Sequence, residues 1–283
     1  MSEGGEGTLK VTILGCGSSG GVPRPGGPDG LGDWGKCDPN EPRNRRTRCS
    51  ILVEQQVAGG STMVLVDTSP DLRTQLLAAR CSRLDAVLYT HDHADQSHGI
   101  DDLRVYAIAQ RARVPVYIDE DTSGALVERF RYCFEQTPGS LYRPILERRM
   151  TPPAGQVFAI EGPGGALACV AFVQNHGDLD SLGFRFGDIA YSSDVVALPE
   201  ESFDILAGVK TWILDALQPT PHKTHAHLDL SLEWIARVKP ERAVLTNLHV
   251  SMDYQTLRRA LPRGVEPAFD GMVLEAPARL SPH

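Results

Sequence analysis

The chain lacks the features that announce several simple classes of protein. None of its six cysteines (Cys16, Cys37, Cys49, Cys81, Cys133 and Cys169) stands in C-x-x-C spacing. Neither a zinc knuckle nor a disulfide framework is therefore signalled, and buried or idle thiols are expected. No window is apolar over the roughly 20 residues that a membrane-spanning helix needs. The start, Met-Ser-Glu-Gly-Gly-Glu-Gly, has no basic segment leading into an apolar core. Basic charge is also short: 28 Lys and Arg against 36 Asp and Glu leave a net -8, which argues against a broad surface for extended nucleic acid. A soluble cytoplasmic protein with no membrane contact is the expectation.

What is present is an ordinary globular composition, 41% hydrophobic and 23% charged over 283 residues. That is enough for a substantial core in one domain spanning 1–283, with residues 1–8 as a frayed tail. Short apolar runs recur with helical patterns between them. Strands are expected at 9–14, 50–54, 63–66, 85–90, 114–118, 167–173, 182–186, 188–192, 211–214, 242–246 and 269–275. Helices are expected at 100–111, 122–136, 228–238 and 253–261, while 137–155 carries no readable pattern. Many of the strands end in His or Asp, so the pattern implies an α/β fold with helices over the sheet faces and ligands gathered at one sheet edge.

The densest stretch is Leu88 to Gly99, L-Y-T-H-D-H-A-D-Q-S-H-G, in which three histidines and two acids fall within eight residues directly after a strand. His91 and His93 stand two apart on an extended turn, so both imidazoles can converge on one cation. Asp95 continues the series with a hard oxygen. A single histidine there would read as solvated; H-x-H-x-D after a strand reads as a metal site. His176 and Asp194 follow later strand ends and join it as candidates.

Three other features have two readings each. Gly15-Cys-Gly-Ser-Ser-Gly-Gly-Val-Pro23 is a plain tight turn or a phosphate loop. The cluster Arg43, Arg45, Arg46 and Arg48, inside a long Gly/Pro-rich connection, is a solvated run or faces a phosphate or a second subunit. Asp67, at a strand end, suits a role orienting a metal ligand, whereas Asp71 reads as the cap of the next helix.

T-H-D-H-A-D at 90–95, His176, Asp194 and L-T-N-L-H at 245–249 together resemble the metallo-β-lactamase superfamily. Val11-Thr-Ile-Leu-Gly-Cys-Gly, Arg48-Cys-Ser50, the His225 loop and Phe269-Asp-Gly-Met272 resemble, more narrowly, the branch of the cyclic-phosphate phosphodiesterase of the carbon–phosphorus lyase pathway. The tRNA 3′-processing endonucleases are more distant. The resemblance implies a four-layer αββα sandwich with two divalent metals, Zn or Mn. His91, His93 and His176 would hold the first metal, Asp194 would bridge, and Asp95 would bind the second. It also implies catalytic roles for Asp95 and for His225 as general acid; His222 and His227 are neighbours that could contact the phosphate, His227 reading more strongly as a surface histidine. That branch's cysteine-bound structural zinc is not carried over, because only Cys37 lies in the comparable region.

Two positions depart from the pattern. Gln96 and Asn247 stand where the family places histidines on the second metal. An oxygen-only second site would bind its metal more weakly and favour Mn²⁺ or Mg²⁺. Alternatively His98 or His249 supplies the missing imidazole, the site holds one metal or none, or the change is neutral. Gln96, Asn247, His98 and His222 are candidates for substrate contact, and His249 for the metal. The function implied is hydrolysis of a small nucleotide or cyclic-phosphate ester by a metal-activated water, with a homodimer expected from the family. An RNA-processing endonuclease and a non-catalytic metallo-protein binding a nucleotide or cofactor precursor are the alternatives.

Overall fold

The computed structural model describes residues 7–136 and 138–278, whose strands form two sheets of seven. The first contains β1 (Gly7–Gly15), β2 (Ser50–Val57), β3 (Gly60–Val66), β4 (Ala86–Leu88), β5 (Val114–Ile118) and β6 (Leu146–Met150). The second contains β7 (Val157–Ile160), β8 (Leu167–Asn175), β9 (Asp180–Phe186), β10 (Ile189–Ser192), β11 (Thr211–Asp215), β12 (Arg242–Thr246) and β13 (Val265–Pro267). The last strand, β14 (Val273–Ala278), returns to the first sheet beside β1, giving the orders β14-β1-β2-β3-β4-β5-β6 and β13-β12-β11-β10-β9-β8-β7. Strands β3 to β6 run parallel, as do β10 to β13.

Side-chain alternation makes the layers. Ile51, Val53, Val64 and Val66 point into a core shared with Ala171, Phe184, Ile213 and Val244 of the other sheet. Their neighbours Leu52 and Leu65 point the opposite way, onto α1 (Leu72–Ala78), α3 (Arg104–Gln110) and α4 (Glu120–Arg129), through Leu72, Leu76, Tyr106 and Leu126. A two-residue period cannot put consecutive residues on one face. On the second sheet, Trp212 and Leu214 meet Phe203 of α6 (Glu200–Leu206) and Trp234 of α7 (Leu228–Val238), and Leu245 meets Leu257 of α8 (Tyr254–Ala260). The result is the expected αββα sandwich.

Several expectations are corrected. Gly7 and Thr8 already belong to β1, paired to Ala278 and Pro277; the rest of the expected tail lies outside the described residues. The helix expected at 122–136 starts at Glu120 and breaks at Phe130, after which α5 (Arg131–Phe134) is a single turn. The one expected at 100–111 opens as a 3-10 turn, Ile100–Leu103, before α3. Asp71 does stand at the N-cap of α1, but its side chain makes no cap bond. It accepts from the Arg48 backbone N–H at 3.0 Å and pairs with the Arg48 guanidinium at 3.1 Å.

The arginine cluster is a structural clamp. Arg46 is buried and donates to Asn44 Oδ1 and, at 2.7 Å, to the Met252 carbonyl. Arg43 lies over the rings of Tyr254 and Phe269, and Arg45 over Trp34. The six thiols are free, and all but Cys81 are buried.

Candidate metal centre

Six strands, β3, β4, β8, β10, β11 and β12, deliver their C-terminal ends to one edge of the sandwich. Asp67, His91, His176, Asp194, Asp215 and Asn247 stand on or just beyond those ends. Three of them, Asp67, Asp194 and Asn247, hold positive φ of 64°, 53° and 61°. Asp and Asn tolerate this left-handed backbone better than other non-glycine residues, and its appearance together at one place marks a constrained site.

The first cluster is built on His91. Thr90 Oγ1 donates to Asp67 Oδ2 at 2.9 Å, so the His91 Nδ1–H, also 2.9 Å away, donates to that hydroxyl. This fixes the tautomer and leaves Nε2 as a buried lone pair with no partner in the protein. His176 is held the same way, its Nδ1 2.7 Å from the Thr224 carbonyl. His93 opens α2 (Ala94–Ser97) and is exposed. The rings of His91, His93 and His176 lie 4.5–5.1 Å apart, and one nitrogen from each falls within 4.8 Å of the others. Burial, and then the imidazoles of His176, His93 and His225, push His91 well below the usual histidine range, which keeps it in the neutral form a metal needs. The orphaned Nε2 and the three converging imidazoles fit a divalent cation.

The second cluster centres on Asp194. Its Oδ1 is 3.9 Å from both His176 Nε2 and His225 Nδ1. His225 Nδ1 lies 2.8 Å from Asp215 Oδ2, an oxygen that also accepts from the Val195 N–H. Burial opposes a charge on His225 but is outweighed by the carboxylates of Asp215, Asp194 and Asp95, which lift it to about 9. Asp95 is half-buried; burial and then the Asp194 carboxylate raise it above its ordinary value. Gln96 Nε2 donates to Asp194 Oδ2 at 3.1 Å, and Asn247 Nδ2 is 3.1 Å from His225 Nδ1. Gln96 thus sets an amide nitrogen against Asp194 and leaves its own Oε1 buried without a partner, while His176, Asp194 and His225 each offer a ligand atom within 4.8 Å of the others.

The other candidates are placed less centrally. His222 is exposed, its ring 5.2 Å from that of His225 and its Nδ1 accepting from the Thr224 N–H at 3.3 Å. His227 stands at the N-cap of α7. His98 caps the other end of α2 and sets its exposed ring edge-on against Phe130. His249 is not brought to either cluster. The turn at Asn247 buries Leu248, ties the His249 N–H to the Leu217 carbonyl and leaves its imidazole on Ser251, 2.9 Å from Oγ. Asp215 and Thr90 were not singled out from sequence; Asp215 does end an apolar run, as Asp67 and Asp194 nearly do, and that signal was available.

Residues 62–247 match the family described as Beta-lactamase superfamily domain. A crystal structure described as a new diphosphatase from the PhnP family is 32% identical, with a TM-score of 0.82 over 96% of this chain and 98% of that one. Zn²⁺-bound PqqB from Methylobacterium extorquens shares the fold at 20% identity, with a TM-score of 0.69 over 94% of this chain and 99% of that one. An octanoyltransferase of Porphyromonas gingivalis is 26% identical over 268 residues, 93% of this chain and 51% of the relative. The chain thus spans about half the length of that curated relative.

Proposed function

The chain belongs to the beta-lactamase superfamily and, within it, to the PhnP family, and from that membership we propose that it is a metal-dependent phosphodiesterase acting on a small nucleotide or cyclic-phosphate ester. The observation that carries this reading is the meeting of His91, His93 and His176 at one point, beside a fourth imidazole, His225, anchored to a buried carboxylate. The similar diphosphatase adds a P–O–P linkage to the substrates worth testing.

A divalent cation held by those three histidines, with Asp194 beside them, supplies a Lewis acid for a phosphoryl oxygen and lowers the pKa of a water. Three imidazole nitrogens suit Zn²⁺, with Mn²⁺ as the alternative. Asp95 orients the attacking water toward phosphorus and accepts its proton. As the bond to the leaving oxygen breaks, His225 gives that oxygen a proton, and Asp215 stabilises the charged imidazole beforehand. His222 stands where it can contact the phosphate.

A cavity of about 460 Å³ opens beside His91, and four of its lining residues are Asp92, Asp121, Asp178 and Asp180. Such acidic walls repel a long polyanion on that side of the site, which disfavours the RNA endonuclease. A homodimer in the cytoplasm belongs to the same reading.

The test is hydrolysis of bis(p-nitrophenyl) phosphate, a nucleoside cyclic phosphate and a dinucleoside diphosphate after reloading with Zn²⁺ or Mn²⁺, for the wild type and His91→Ala. Turnover lost in the variant supports the proposal. A metal-loaded wild type that turns over none of them overturns it in favour of a binding protein.

A further inference from the structure

Two buried amides stand where the family resemblance puts two imidazoles, and their contacts decide what that place can hold. Gln96 and Asn247 are each 1% exposed. The Gln96 contact divides Asp194: Oδ1 faces His176 and His225, while Oδ2 is filled by the Nε2–H. That leaves Oδ1 as the open oxygen of Asp194, and a second cation would have to share it with the first.

Turning the Gln96 amide over would set Oε1 against Asp194 Oδ2, two acceptors with no proton between them. Oε1 is already buried without a partner. With Asp95 and the shared Oδ1 of Asp194 it would make a set of three oxygens and no imidazole, a poor match to zinc's preference for nitrogen and sulfur ligands. On the other side, the Asn247 side-chain amide lies 3.1 Å from His225 Nδ1, a nitrogen whose proton is committed to Asp215. His249, which might have restored an imidazole, is turned onto Ser251.

We infer that the chain holds a single divalent cation, at His91, His93 and His176, and that the side-chain amides of Gln96 and Asn247 occupy the place of a second. Gln96 holds Asp194 there by an uncharged hydrogen bond, and Asp215 holds His225, with no cation between them. The inference rests on the metal-dependent reading of the same site but concerns its stoichiometry.

The experiment counts metal without substrate. Apo-protein is titrated with Co²⁺, followed by its visible absorption, and the dialysed Zn²⁺ form is assayed by elemental analysis, for the wild type, His91→Ala and the double variant Gln96→His/Asn247→His. The expected result is one equivalent in the wild type, none in His91→Ala and two in the double variant. Two equivalents in the wild type, or one retained by His91→Ala, would overturn the inference while leaving phosphodiester hydrolysis untouched. No cation in the wild type would overturn both. Should the double variant not fold, the wild-type and His91→Ala counts decide alone. Failure to hydrolyse any phosphodiester leaves the count standing.

Discussion

Asp67 and His91 are joined through a hydroxyl: Thr90 Oγ1 lies 2.9 Å from Asp67 Oδ2 and 2.9 Å from His91 Nδ1. A carboxylate thus sets the tautomer of an imidazole in the candidate metal centre from one residue further away than in a direct pair. Thr90→Val keeps the shape and removes the relay. Metal affinity is expected to fall roughly 10–100-fold, the usual cost of losing an outer-shell partner. The variant should also lose about 1–3 kcal/mol of stability, because Asp67 Oδ2 is left buried with one acceptor unfilled. Competition against a chelator and urea melts measure the two, and an unchanged affinity would show that Thr90 does not position His91.

If His225 protonates the leaving oxygen, its removal matters most when that oxygen leaves reluctantly. His225→Ala is expected to lower kcat by about 10²–10⁴ for an alkyl or ribosyl leaving group. The loss should be much smaller for p-nitrophenolate, which needs no proton. Metal content should not change. An equal loss on both substrates would give His225 another role.

The Asp215–His225 pair also makes stability depend on pH. The folded group titrates near 9 against an ordinary value of 6.5, so the folded state binds the extra proton between those values. The contribution is therefore complete below pH 6.5 and is lost as pH rises through 9. Denaturant melts of the metal-free protein between pH 6 and 10 should show this decline in the wild type and a flatter profile in Asp215→Asn. Parallel profiles would remove Asp215 as the cause.

The sequence carried His91 and His93 of the first cluster well because their signal is local: two imidazoles on one turn need only a strand before them. It carried Asp215 and Thr90 poorly, because their roles depend on contacts that the folded strand ends create. Asp215 meets His225 ten residues on, and Thr90 meets Asp67 across two strands. Gln96 and Asn247 were legible as departures, but not which atom each turns inward. The strands follow a similar rule. Those in the middle of each sheet were read to within three residues at either end, because burial imposes a pattern on them. The four at the sheet edges were missed or misplaced. β6 (Leu-Glu-Arg-Arg-Met) is exposed at four of its five positions and shows no apolar pattern; β7 and β13 were not read, and β14 lies four residues later than expected at its start. An edge strand half in water has less need of an apolar alternation.

Arg46 separates the clamp from a phosphate-facing role for the arginine cluster. The residue is 2% exposed, and its guanidinium donates to Asn44 Oδ1 and the Met252 carbonyl. Asn44 in turn donates to Asp253, the cap of α8, at 2.7 Å and accepts from the Tyr254 N–H. Arg46→Met keeps much of the apolar stem and removes the donors; Asn44 Oδ1 retains the Tyr254 N–H, and the Met252 carbonyl loses the guanidinium. The expected loss is about 1–3 kcal/mol, read as a lower denaturant midpoint, with kcat and KM of the remaining folded protein unchanged. A rise in KM with no loss of stability would instead return this arginine to the substrate.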